Sequence, residues 1–168
     1  MWLLSLIPFG LQFIVMLFDE GYFHIRRGLP KWERIGHPID TLSVLLCIGF
    51  VLFIPFSKMN LIFYIVLCSI SCILVTKDEF VHKHHCPAAE NWLHALLFTL
   101  HPITLACAGF MWPVVQGLEV TPWIAGWLDN KKGLHFFLQM QCIATGLFLF
   151  YQIIFWNFIW KDKPVLKQ

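Results

Sequence analysis

The chain has 168 residues, of which 58% are hydrophobic and only 13% are charged, and its mean hydropathy is +0.69. A water-soluble domain of this length exposes too much of its surface to hide so many apolar side chains, so the composition excludes an ordinary soluble domain and predicts a membrane protein. The net charge of +2, without a basic run interleaved with aromatics, argues against nucleic acid as a partner.

Apolar runs divide the chain into five predicted membrane-spanning helices. They cover residues 1–18, 41–56, 61–76, 92–115 and 134–160. Runs of this length can cross the hydrocarbon core when the helices extend into their flanks. Residues 116–133 are expected to form an interfacial loop or a short surface helix. We therefore expect an all-α integral membrane protein, with residues 1–168 forming a single transmembrane bundle.

The five predicted spans place most of the charged residues on one side of the membrane. Segments 19–40 and 77–91 fall on one side together with the C-terminus, because spans two and three form a hairpin between them. Nine of the twelve Lys and Arg residues, and eight of the ten Asp and Glu residues, lie on that side. The positive-inside rule predicts that this side is cytoplasmic.

The two polar segments share an order of residues that indicates an internal repeat. Each contains an acidic pair, a histidine within one turn, a proline, and a Glu-x-x-x-His sequence. In the first copy these are Asp19-Glu20, His24, Pro30 and Glu33/His37, and in the second they are Asp78-Glu79, His82, Pro87 and Glu90/His94. Each copy follows an odd-numbered span, so the copies are predicted to be parallel repeats that approach each other around a pseudo-two-fold axis.

We interpret the repeat as a site for two metal ions. Residues three or four apart share one face of a helix, so the carboxylates and histidines of each copy can point at one ion. Carboxylates combined with imidazoles suit iron, manganese or zinc, and such ligands on four facing helices are the arrangement of di-iron bundles. The predicted ligands are Glu20, His24, Glu33, His37, Glu79, His82, Glu90 and His94, with Asp19, Asp78, His84 and His85 as additional candidates. Asp19 can replace Glu20, and Asp78 can replace Glu79.

Two further residues are predicted to act beside the metals as catalytic residues. His101 lies seven residues beyond His94, two turns deeper on roughly the same helix face. An ionisable side chain at that depth is costly, so we expect it to donate to a ligand carboxylate, bind metal or gate a proton path. The alternative is a neutral histidine bonded to a neighbouring helix. Asp40 is expected to accept a hydrogen bond from an imidazole and orient it.

The stretch His82-Lys83-His84-His85 resembles the histidine boxes of the membrane fatty-acid desaturases and hydroxylases. The mixture of Glu and His is also similar to the di-iron carboxylate proteins, including membrane-bound quinol oxidases, through Glu79-x-x-His82. These resemblances imply a helical membrane domain that binds two irons and activates oxygen. The chain departs from the desaturases in having neither an H-x-x-x-H nor an H-x-x-H-H box, so the resemblance concerns the metal chemistry.

The leading hypothesis is an integral membrane enzyme with a di-metal centre, in the first place di-iron. It would oxidise, hydroxylate or desaturate a membrane lipid or another hydrophobic small molecule, with electrons from a separate donor. A first alternative is a zinc enzyme that activates water to hydrolyse a lipid or amide. An alternative of another class is a metal-ion or proton transporter, or a heme-binding membrane subunit, and a purely structural role is the fourth.

Overall fold

The computed structural model describes residues 1–77 and 87–161, and these residues form helices without any strand. The helices are α1 (Trp2–Arg27), α2 (Glu33–Phe53), α3 (Lys58–Thr76), α4 (Ala88–Val115), the short α5 (Pro122–Trp127) and α6 (Lys131–Ile159). Within the described ranges, every helix except α5 is long and apolar enough to cross a membrane. The prediction of an all-helical chain with five candidate spans is therefore confirmed at the level of length and composition.

Helices α2 and α4 form the centre of the bundle. Helix α4 packs against α1, α2, α3 and α6, and α2 also packs against α3 and α6. Because the direction of the chain alternates from one long helix to the next, the end of α1 lies near the starts of α2 and α4. The ends of α3 and α6 lie at the same end of the bundle. This end carries the polar residues of the candidate site.

Several helices extend beyond the apolar runs that the sequence defines. Helix α1 continues to Arg27, α2 begins at Glu33 and α4 begins at Ala88, whereas the predicted spans stop near residue 18 and start near residues 41 and 92. A helix satisfies its own backbone hydrogen bonds, so it can carry polar side chains inward without exposing its backbone. The polar segments are therefore partly helix ends, and those ends face one another.

The starts of α2 and α4 are built alike. The carbonyl of Pro30 accepts a hydrogen bond from the backbone N–H of Glu33 at 3.0 Å, and the carbonyl of Pro87 accepts one from Glu90 at 3.0 Å. Glu33 and Glu90 therefore stand in the same relation to the preceding proline, and both lie in the first turn of their helices. Residues 78–86 lie outside the described residues, so the repeat as a whole remains a prediction.

An aromatic core fills the opposite end of the bundle. Trp112 is fully buried there, with its ring centroid 5.4 Å from that of Phe50, 5.1 Å from Phe56 and 5.5 Å from Tyr64. Its indole N–H donates to the carbonyl of Ile54 at 2.9 Å. The connection between α2 and α3 is thereby held against α4. The bundle thus has an apolar end around Trp112 and a polar end at the candidate site.

Gln116 provides a test of this connection. Its side-chain oxygen accepts from the backbone N–H of Phe56 at 2.6 Å, and its amide nitrogen donates to the carbonyl of Ile54 at 2.5 Å. Replacing Gln116 with Leu leaves the Phe56 N–H without this partner, so we expect the free energy of unfolding to fall by about 1–3 kcal/mol. Reversible unfolding in detergent micelles measures the change. The exposed Gln139 is the control, and an equal loss for Gln139→Leu would contradict the assignment.

Candidate metal centre

The structure brings the predicted ligands of the first polar segment together with those at the start of α4. Helices α1, α2 and α4 each contribute to one cluster at the polar end of the bundle. The predicted ligands within the described residues are Glu20, His24, Glu33, His37, Glu90 and His94, and the additional candidate Asp19 lies with them. The remaining predicted ligands and candidates, Glu79, His82, Asp78, His84 and His85, lie outside the described residues.

Four of these side chains form a buried group with the geometry of a metal site. Asp19, His24, Glu90 and His94 each offer one ligand atom, and the four atoms all lie within 4.8 Å of one another. His24 Nε2 lies 3.3 Å from an Asp19 carboxylate oxygen and 3.9 Å from one of Glu90, and His94 Nε2 lies 3.2 Å from Asp19. Ligand atoms bound to one ion at about 2.0–2.2 Å lie roughly 3–4 Å apart. A buried group that can hold a metal ion is therefore present, as the sequence predicted.

Two atoms of this group need a partner. His24 Nε2 and Glu90 Oε2 are buried, and neither makes a hydrogen bond within residues 1–77 and 87–161. A buried polar atom without a partner costs about 1–3 kcal/mol. The arrangement is costly for an empty protein core and suits a cation held between the imidazole and the carboxylate.

A change in helix type brings Asp19 into the group. Residues 19–24 form a π-helical turn within α1, and in such a turn the backbone hydrogen bonds run from residue i to i+5. In a regular α-helix Asp19 and His24, five residues apart, would point about 140° away from each other. The wider turn brings both side chains to one face. The sequence-based choice of Glu20 assumed a regular α-helix.

Glu20 instead holds the histidine in place. One Glu20 oxygen lies 3.1 Å from His24 Nδ1, and the other accepts a hydrogen bond from the indole N–H of Trp156 at 2.6 Å. When Nδ1 carries the proton and donates it to Glu20, Nε2 is left with its lone pair facing Asp19 and Glu90. Metal-binding histidines are commonly oriented by a carboxylate in this way. Among the described residues, Glu20 belongs to neither group of candidate ligand atoms.

A second group lies beside the first. His24, Glu33 and His37 also offer ligand atoms within 4.8 Å of one another, and the rings of His24 and His37 have centroids 4.9 Å apart. The guanidinium of Arg27 lies between the two groups, 3.0 Å from a Glu33 oxygen and 2.9 Å from a Glu90 oxygen. His24 belongs to both groups but has one lone pair, so the two groups cannot use it at the same time.

The charge of the site also calls for a cation. Asp19, Glu20, Glu33 and Glu90 are at most 6% exposed, and the guanidinium of Arg27 contacts Glu33 and Glu90. If all four carboxylates are ionised, this guanidinium balances one of their negative charges. Buried charges of one sign are strongly unfavourable unless they are paired. A divalent metal ion or protonated imidazoles would supply the missing positive charge.

His101 is engaged through both of its ring nitrogens. It is 3% exposed, with Nε2 3.0 Å from the Ser71 hydroxyl and Nδ1 3.3 Å from the Gln12 amide nitrogen. Ser71 contacts the Ser43 hydroxyl at 2.7 Å, and Ser43 donates to the backbone carbonyl of Asp40. Ser43 thus uses its proton on a carbonyl, so Ser71 donates to Ser43 and His101 Nε2–H donates to Ser71. This corresponds to the alternative of a neutral histidine bonded to neighbouring helices.

The Asp40 carboxylate is held by a lysine. Lys77 Nζ lies 2.6 and 2.7 Å from the two carboxylate oxygens, and it also reaches the backbone carbonyls of Gly36 and Leu74. This ion pair joins α2 to α3 near the polar end of the bundle. The sequence-based expectation was an imidazole partner for Asp40, and the contact seen here is with Lys77.

A cavity of about 130 Å³ lies beside the metal group. Asp19, His24 and His94 form its polar end, and His101 and Asp40 also line it. Apolar side chains form much of the remaining wall, among them Phe9, Phe13, Met16, Ile48, Leu97 and Phe148. An apolar cavity of about 150 Å³ can hold a benzene molecule. The cavity thus has about the volume of a single-ring molecule, and three of the four candidate ligands line it.

Sequence reasoning missed the roles of Arg27 and Trp156. Arg27 entered only the count of basic residues, although its place three residues after His24 puts it within one turn of the cluster. Trp156 lies near the end of the fifth predicted span, where tryptophan is common in membrane proteins. No signal in the sequence links it to Glu20, 136 residues away, because that contact depends on how α6 packs.

Trp156 is expected to support metal binding without being a ligand. Trp156→Phe removes the N–H that holds Glu20 and so loosens the orientation of His24. Loss of such a contact commonly lowers metal affinity by about 10–100-fold, and competition with a coloured chelator measures it. Trp123→Phe changes a tryptophan that is 61% exposed and is the control. Equal affinity in the Trp156→Phe variant and the unmodified protein would contradict the role.

The arrangement offers two imidazoles and two carboxylates around one point, which is a ligand set for iron, manganese or zinc. Three of these ligands, Asp19, His24 and His94, line a cavity whose wall is largely apolar. Comparison with protein-family models, with curated proteins and with solved structures finds no match for this chain.

Proposed function

We propose that this protein is an integral membrane metalloenzyme that oxidises, hydroxylates or desaturates a hydrophobic small molecule. The observation that supports this most directly is the buried group of Asp19, His24, Glu90 and His94, three of whose members line the cavity. A lipid-soluble substrate could enter from the bilayer between the helices. Ligands for one ion are thus placed beside a space for one hydrophobic molecule.

The number and type of ligands favour an ion with more than four coordination positions. Zinc is almost always four-coordinate in proteins, and a catalytic zinc keeps one of its positions for water. Four protein ligands would close a tetrahedral zinc site. Iron or manganese with the same four ligands would keep positions open, and such an ion would supply oxygen-activating chemistry, with electrons from a separate donor. The zinc hydrolase is therefore the weaker hypothesis.

We assign one ion to the described residues. Arg27 places its charge between Glu33 and Glu90, where a second cation would meet a guanidinium. The lone pair of His24 also serves only one ion. The two-ion centre predicted from the repeat would need Glu79 and His82, which lie outside the described residues.

The protein's own side chains would carry out distinct tasks in this enzyme. Glu20 and Trp156 keep Nε2 of His24 directed at the ion. Arg27 neutralises Glu33 and part of Glu90, so the remaining negative charge is left to the ion. The apolar wall of the cavity keeps bulk water away from the reacting group of the substrate, which strengthens every electrostatic interaction there.

Transport and heme binding receive less support. His101 is held by Ser71 and Gln12, so it does not present a free nitrogen to a heme iron. A cavity of about 130 Å³ matches a single-ring molecule and is too small for a porphyrin. The transporter hypothesis needs polar groups that continue through the bundle, whereas the opposite end is an aromatic core around Trp112.

Metal analysis tests the proposal. We expect protein purified in mild detergent to contain about one iron or manganese per chain, and His94→Ala to reduce that content at least about tenfold because a ligand is lost. Glu90→Gln should act in the same direction. His135→Ala and Glu119→Gln change the same residue types in α6 and between α4 and α5, and both should retain full metal. Full metal in both ligand variants would rule out the assigned site, and purified protein without metal would rule out the enzyme.

Membrane insertion and sidedness are tested by labelling from one side. Single cysteines at Met59, Trp123 and Lys31 are introduced after Cys86→Ser, since the other native cysteines lie within candidate spans. A membrane-impermeant maleimide should label positions 59 and 123 from one side and position 31 from the other. The positive-inside rule places position 31 in the cytoplasm. Labelling of positions 31 and 59 from the same side would contradict five spans.

A further inference from the structure

Most polar side chains on the cavity wall already have partners. Gln152 accepts a hydrogen bond from Thr41 at 2.7 Å, and Thr104 donates to the carbonyl of Leu100 at 2.9 Å. His101 is held through both nitrogens and Asp40 through Lys77, as described above. These groups already have hydrogen-bond or ion-pair partners within the protein, so they do not need a bound molecule as a partner.

Two polar side chains on α6 are not among those with partners. Gln141 and Thr145 both line the cavity, and neither makes a hydrogen bond to another described residue. They lie four residues apart, so they share one face of the helix. An amide or a hydroxyl without a partner is costly in an apolar environment, and the polar atoms of Gln141 and Thr145 stay accessible, since they are not among the buried atoms without a partner. Their placement on the wall of a cavity that also reaches the metal group indicates a ligand with a matching polar group.

We infer that Gln141 and Thr145 form a recognition subsite for a hydroxyl group on a compact lipophilic molecule. A hydroxyl donates one hydrogen bond and accepts others, so it can donate to the Gln141 oxygen while Thr145 donates to it. Gln12, which lines the same cavity, adds a buried acceptor, Oε1, that has no partner among the described residues. The apolar wall contacts the hydrocarbon part of the molecule. As a statement about substrate, this inference rests on the proposed function, and the subsite itself does not.

The size of the cavity sets the scale of the ligand. A volume of about 130 Å³ is close to that of a cavity which holds a single six-membered ring. A sterol or an entire phospholipid does not fit in that volume. The ligand is therefore a single-ring alcohol, or the hydroxylated end of a longer chain whose remainder lies between helices in the bilayer.

A matched pair of probes tests the subsite. Cyclohexanol and methylcyclohexane have similar shapes and differ by a hydroxyl in place of a methyl group. Dissociation constants follow from the dependence of the thermal unfolding midpoint on probe concentration, with tryptophan fluorescence as the signal. The variant combines Gln141→Met with Thr145→Val, which keeps side-chain volume nearly constant. Gln139→Met, an exposed glutamine on the same helix, is the matched control.

We expect the double variant to bind cyclohexanol about tenfold more weakly than the unmodified protein, because two hydrogen bonds are lost. Methylcyclohexane should bind both proteins equally, which shows that the variant keeps its cavity. Thr145→Ser keeps the hydroxyl and should retain most of the preference for cyclohexanol. Equal weakening of both probes, no weakening of either, or no binding of either probe to the unmodified protein would overturn the inference.

The same titration on protein washed with a chelator separates this inference from the proposed enzyme. A preference for cyclohexanol that depends on Gln141 and Thr145 in metal-free protein supports the subsite whatever the metal analysis finds. Stoichiometric metal in a protein without that preference supports the metal centre and rejects the subsite.

Discussion

The buried carboxylates at the polar end of the bundle determine which kinds of residue must surround them. Asp19, Glu20, Glu33 and Glu90 are nearly inaccessible to solvent, and such groups are tolerated only when positive charge and hydrogen-bond donors surround them. Arg27 supplies part of this positive charge through its contacts with Glu33 and Glu90. Nε2 of His24 and Oε2 of Glu90 have no hydrogen-bond partner among the described residues, so a cation would be most favourable beside these two atoms. A metal ion at that point would complete the charge balance that Arg27 begins.

The geometry of this cluster depends on backbone details as much as on residue types. The π-helical turn at residues 19–24 puts Asp19 and Glu20 on either side of His24, so that one can face the ion while the other holds Nδ1. A second π-helical turn, at residues 155–159, contains Trp156, which bonds Glu20. Single π-turns are frequent at functional sites because they redirect side chains that an α-helix would keep apart. Here both such turns meet at the same carboxylate.

The sequence was sufficient to predict an all-helical chain with five candidate spans and a buried group of Asp, Glu and His residues that could hold a metal ion. Long apolar runs separated by polar segments predict spans directly, because each span needs about 20 apolar residues. The corresponding positions of Glu33 and Glu90, each three residues after a proline, follow from the similar order of residues around them. The choice between Asp19 and Glu20 could not be made, since helical spacing assumes a regular turn. The contact of Trp156 with Glu20 and the ties of His101 to Ser71 and Gln12 depend on how the helices pack, which the hydrophobic pattern does not encode.

The polar groups that line the cavity fall into two sets, and the difference carries information about its use. A cavity that served only as a packing defect would be expected to have apolar walls, or polar groups that bond one another, since an unpaired polar atom in an apolar setting is costly. Thr41 and Gln152 follow that expectation. Gln141 and Thr145 do not, and they share one face of a single helix. Because a polar molecule in the cavity would give them partners, these two residues favour an occupied cavity in the working protein, and under the proposed function an ion held by Asp19, His24, Glu90 and His94 would give that occupant a reaction partner.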